Sequence, residues 1–74
     1  MNKEEYLSAL AIKEASETLP EEKRELFVNW MLKRFHTLPN FTHISYAMEW
    51  ATRFKNDPRG AMDSLSLAIY NELV

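Results

Sequence analysis

A chain of 74 residues with no cysteine, 46% hydrophobic and 12% aromatic residues and a formal net charge of −2 is expected to form one domain. It has no means of building a disulfide framework or a thiolate metal site, and its apolar and aromatic content excludes a disordered chain. A domain this short buries only about 60% of its unfolded surface, so apolar side chains left over from its core are to be expected.

No apolar run follows a basic start, and no stretch approaches the roughly 20 apolar residues of a membrane span. The expectation is a cytoplasmic protein made of a single helical domain over residues 1–74. Charge is uneven along it: residues 1–25 carry four Lys/Arg against seven Asp/Glu, and residues 26–74 carry five against four. An acidic front of that size reads as a solvated helix face and names no partner.

One glycine and three prolines divide the chain, and no segment shows the β-branched alternation of strands. The first predicted helix runs over about residues 3–17, with Asn2 and Glu5 in the N-x-x-E spacing of a capping arrangement. Leu7, Leu10 and Ala11 share a face there, but Glu14 continues the same stripe. This helix is therefore expected to be the most loosely attached of the four.

Thr18 is predicted to open the second helix, over about residues 19–36, by a capping box with Glu21, with Pro20 in the first turn. Glu21, Glu22 and Glu25 early, and Lys33, Arg34 and His36 late, match the helix dipole at both ends. Leu26, Phe27, Val28, Trp30, Met31, Leu32 and Phe35 cover more than half of its circumference, which predicts a central position.

The second helix opens on Thr-Leu-Pro and closes on Arg-Phe, and so does the segment after it, nineteen residues later. The matches are Thr18 with Thr37, Leu19 with Leu38, Pro20 with Pro39, Arg34 with Arg53 and Phe35 with Phe54, almost all at helix ends. The interiors differ, with Trp30 aligned to Glu49 and Leu26 to Ser45, which favours recurring start and stop chemistry over duplication. Asn40 replaces the glutamate of the capping box, so the third helix, about 41–55, is expected to start late, at Asn40 or Thr42. Ile44, Ala47, Met48, Ala51 and Phe54 form its stripe, with Tyr46 and Trp50 along the edge.

The fourth helix, about 58–73, is predicted to begin at Asp57-Pro58. Ala61, Met62, Leu65, Ala68, Ile69 and Leu73 make its core face, which leaves Leu67, Tyr70 and Val74 as an unpartnered second stripe.

Chemistry-bearing motifs are absent. The only glycine, Gly60, builds no phosphate-cradling loop, and no hydrolase, kinase or nucleotide-binding signature is present. His36 and His43 flank the Leu38-Pro39-Asn40 corner without a third ligand for a metal. The neighbouring pairs Glu4 with Glu5 and Glu21 with Glu22 point in different directions on their helices, as solvated charges do. Trp30 and Trp50, at helical spacing within apolar stripes, read as core or interface anchors. No enzyme activity, cofactor or metal is expected.

The sequence thus predicts an all-α fold, a compact bundle of four short helices. Its expected role is a non-enzymatic protein-interaction module, a regulator or inhibitor of bacterial or phage style. It would act by helix-face docking on a protein partner or as a homodimer, through Tyr46, Trp50, Leu67, Tyr70 and Val74. The alternative is a nucleic-acid-binding regulator using a basic rim of Lys33, Arg34, Arg53, Lys55 and Arg59. Net acidity and a third helix whose two basic residues lie in its last turn argue against that alternative.

Overall fold

The computed structural model describes residues 3–37, 43–56, 59 and 62–74, and these form four α-helices. They are α1 (Lys3–Ser16), α2 (Glu21–Thr37), α3 (Ile44–Asn56) and α4 (Ser64–Leu73). The all-α bundle is as expected, and its Cα radius of gyration of 11.3 Å is that of a close-packed chain of this length. Helix α1 lies against both α2 and α3, and α4 lies against α2.

The core is aromatic. Phe27 and Trp30 of α2 meet Trp50 and Phe54 of α3, with ring centroids 5.4 Å apart for Phe27–Phe54, 5.1 Å for Trp30–Trp50 and 5.7 Å for Trp30–Phe54. Phe27 and Trp30 are fully buried and Phe54 almost so. Tilted and edge-on pairs of this kind add to the free energy of burying the rings themselves.

These bulky rings explain why the buried side chains of α1, Ile12 apart, are small. Ser8, Ala11, Ile12, Ala15 and Ser16 make its inner face, at spacings i, i+3, i+4, i+7 and i+8. The stripe expected from hydrophobicity is only partly used: Ala11 faces inward, but Leu7 and Leu10 are exposed. Rings on α2 and α3 already fill the interior, and a wall of alanine and serine lets the α1 backbone come close where leucines would overfill it. The expectation that α1 is loosely held is overturned for the same reason, since Ile12 and Ala15 are fully buried within the common core.

Between α1 and α2 the chain tightens into i→i−3 hydrogen bonds from the amides of Glu17, Thr18 and Leu19. Thr18 does not cap α2. Its hydroxyl donates back to the Ala15 carbonyl at 2.7 Å, and α2 begins at Glu21, two residues too late for the predicted box. Thr37 does the same at the end of α2, donating to the Lys33 carbonyl at 2.9 Å. The recurring threonine therefore closes the preceding helix in both copies. Arg24 completes the first corner, its Nε donating to the Leu19 carbonyl at 2.9 Å.

His43 opens α3. Its Nδ1 accepts the Ser45 amide at 3.1 Å and its carbonyl accepts the Ala47 amide at 3.0 Å, so an imidazole performs the N-capping role usually given to Ser or Asp. The alternatives Asn40 and Thr42 lie outside the described residues, as do Asp57 and Pro58.

Helix α4 starts six residues later than expected. Its N-cap is Asp63, with extended backbone and a carboxylate that accepts the Ser66 amide at 2.8 Å. The face it turns to the core also differs: Ser66 and Ile69 are buried, Met62, Tyr70 and Leu73 pack against the core, and Leu65 and Ala68 are exposed. The cause is a polar residue. The Ser66 carbonyl accepts the Trp30 indole N–H at 2.9 Å and its hydroxyl accepts Arg34 Nε at 2.8 Å, which turns Ser66 inward and carries Tyr70 with it.

Because Ile12 is buried among aromatic rings, Ile12→Ala should cost about 2–5 kcal/mol in urea denaturation. A loss under about 1 kcal/mol would mean that α1 is only loosely attached after all.

Candidate interaction surface

The five side chains expected at a protein interface do not form one patch. Trp50 is only 6% exposed and belongs to the core. Tyr70 is half-buried, stacked on Phe54 at 5.8 Å with the Arg59 guanidinium 5.4 Å from its ring on α4's side of the molecule. Leu67 is half-buried. Tyr46 is exposed and meets Trp50 edge-on at 6.3 Å, while Val74, 62% exposed, ends α4. The apolar surplus inferred for α4 is smaller than the sequence suggests, because rotating the helix about Ser66 brings Tyr70 into the core.

Around Trp50 the structure assembles a group that spacing alone does not reveal. Guanidinium carbons lie over its ring from two helices, Arg34 at 5.4 Å from α2 and Arg53 at 5.0 Å from α3, which carries Trp50 itself. Arg34 also lies 5.7 Å from the centroid of Tyr46. Cation–π contact and the Arg34–Ser66 bond together tie α2, α3 and the start of α4. Asp63 stands nearby, its carboxyl pKa held below the ordinary 3.8 by the Ser66 backbone bond first, then by the Ser66 hydroxyl and the Arg34 charge. A depressed carboxylate stabilises the fold above its unfolded pKa, and that contribution is lost only as the pH falls through the lower folded value.

The proposed basic rim is partly neutralised. Lys33 is ion-paired with Glu72 across α2 and α4, and Arg53 with Glu49 at 2.8 Å one turn back on α3. The Lys55 carbonyl accepts Lys23 Nζ at 3.2 Å, closing α3. Of the five basic residues, Arg34, Arg53 and Arg59 also lie over aromatic rings.

What remains most open is the outer side of α1. Among the described residues the exposed large hydrophobics are Tyr6, Leu7, Leu10, Tyr46, Met48, Leu65 and Val74, and the first three all lie on α1. Tyr6 is 58%, Leu7 37% and Leu10 40% exposed. The spacing of Leu7 and Leu10 beside Ala11 reads as core in the sequence, and the structure leaves both leucines at the surface.

Comparisons with protein-family models, with curated proteins and with solved structures find no match. Among the described residues no group of three or more His, Asp or Glu is placed to hold a metal ion, and no helix is long and apolar enough to cross a membrane.

Arg34→Lys keeps the charge but loses the planar stack and the Nε bond to Ser66, and should cost roughly 1–2 kcal/mol in urea denaturation. Lys33→Ala, which breaks an exposed ion pair, should cost between about 0 and 1 kcal/mol. Equal effects of the two substitutions would show that the cluster around Trp50 contributes no more than an ordinary surface charge.

Proposed function

We propose that the protein is a small interaction module, a regulator or inhibitor that works by docking a helix face onto a protein surface and not by chemistry of its own. The observation that carries this reading is the outer side of α1. A tyrosine and two leucines stand exposed on a helix whose opposite side is held in the core by Ile12 and Ala15. Such a helix is a rigid platform, so an interface formed there pays little ordering entropy. Leu7 and Leu10 supply an apolar centre with Tyr6 as an aromatic anchor beside it, and Lys3, Lys13 and Glu14, all exposed, supply a charged rim.

Two features weigh against the nucleic-acid alternative. Lys33 and Arg53 each have a glutamate partner, and the net charge is negative, so a phosphate backbone would meet few unpaired cations.

The test is photo-crosslinking in the cells that produce the protein, with a benzophenone side chain at position 6 and a control at the exposed Asn29 of α2. The expected result is a discrete protein adduct from position 6, absent from position 29 and removed by Leu10→Glu. Indistinguishable patterns from the two positions would refute docking through α1.

A further inference from the structure

We propose that the partner on this face is a second copy of the same chain, with α1 pairing antiparallel to α1 about a two-fold axis between Leu7 and Leu10. The inference rests on the docking reading above and adds the identity and geometry of the partner.

The spacing of the exposed side chains motivates it. Lys3, Leu7, Leu10 and Glu14 are exposed and recur at intervals of four, three and four, the repeat that keeps one seam of a helix facing a partner helix. Leu7 stands one turn before the buried Ala11, so the seam borders the inner stripe of Ser8, Ala11, Ile12 and Ala15 on one side, but none of its own four residues is buried. Tyr6 and Lys13, also exposed, flank it on one side, seven residues apart.

Charge then decides the partner and the direction. With the axis between Leu7 and Leu10, Leu7 of one copy meets Leu10 of the other in two central layers. Lys3 of each copy meets Glu14 of the other at the two ends. On the flank, Lys13 of one copy reaches Tyr6 of the other, where its aliphatic stem and ammonium can cover the ring. A parallel pair would oppose Lys3 to Lys3 and Glu14 to Glu14, with like charges at both ends. The seam is therefore self-complementary in the antiparallel sense alone, as an isologous interface must be. Neither Lys3 nor Glu14 is ion-paired with another described residue of its own chain, so both are available.

Size sets the strength. A helix of 14 residues is about 21 Å long, and one such contact falls below the roughly 1,200 Å² of a stable interface. The dimer is accordingly a reversible one, with a dissociation constant on the order of 0.1 mM.

Sedimentation equilibrium on the purified protein, with helical circular dichroism confirming the fold of each variant, tests this. The expected result is a concentration-dependent monomer–dimer equilibrium that persists at high salt. Leu7→Glu should weaken it by more than about tenfold, because the two-fold axis places the change in two layers. Lys3→Glu and Glu14→Lys should each weaken dimerisation about two- to fivefold, and the double swap should restore it. A monomer at every concentration, or a dimer indifferent to the single swaps, would overturn the proposal. If the purified chain is monomeric while position 6 still yields a discrete adduct with another protein in cells, self-pairing fails and docking through α1 stands. Absence of both would dismiss the two together.

Discussion

The hydrogen bond from the indole of Trp30 to the backbone carbonyl of Ser66 is the constraint on which the arrangement of the helices depends. A fully buried tryptophan brings on the order of 4–6 kcal/mol of transfer free energy, but only if its N–H finds an acceptor; an unpaired one would give back about 1–3 kcal/mol. Here the acceptor comes from the first turn of α4, whose own amide is bonded to Asp63. The bond fixes how α4 is rotated about its axis, and the Ser66 hydroxyl then receives Arg34. No buried polar side-chain atom among the described residues is left without a partner, which is what allows a serine to sit in an aromatic core.

From that rotation the distribution of apolar surface follows. Ile69 and Tyr70 are drawn towards α2 and α3, and Tyr70 stacks on Phe54. With four aromatic rings of α2 and α3 filling the interior, the wall that α1 supplies is built of alanine and serine around a single isoleucine, Ile12. Its leucines are excluded from the core by volume and remain on the outside. The same packing therefore stabilises the monomer and exposes Tyr6, Leu7 and Leu10 on a helix that cannot turn to hide them. The docking proposed above requires no ordering of α1 itself, because Ile12 and Ala15 already hold that helix in the core.

Four helices, and the central position of the second, were legible because their apolar spacing is strong and their ends carry proline, threonine or aspartate. The rest was hidden where two readings of a pattern compete. On α1 the expected stripe of Leu7, Leu10 and Ala11 is kept only at Ala11, and the volume of rings from distant parts of the chain selects Ser8, Ile12 and Ala15 as its buried neighbours. On α4 a polar residue, Ser66, defines the buried face, and periodicity counts it on the wrong side. Capping was misread for a related reason: a threonine can accept an amide ahead of it or donate to a carbonyl behind it, and Thr18 and Thr37 both do the latter. His43 as an N-cap had no precedent in its residue type. The cluster of Arg34, Arg53, Tyr46 and Trp50 joins residues that the recurring Arg-Phe endings place at two helix ends. Repetition marked those arginines, but not that both would meet one indole.

The central claim is that packing around Trp30 draws Trp50 and Tyr70 inward and leaves Leu7 and Leu10 outside. Relaxation enhancement by an inert paramagnetic chelate, recorded by NMR at low protein concentration, reads side-chain exposure directly. Fast relaxation of Tyr6, Leu7 and Leu10, with Trp50 relaxing nearly as slowly as Ile12 and Phe27 and Tyr70 between the two groups, is the predicted result. Slow relaxation of Leu7 and Leu10 together with fast relaxation of Tyr70 and Trp50 would contradict it, and would return the free apolar surface to α3 and α4.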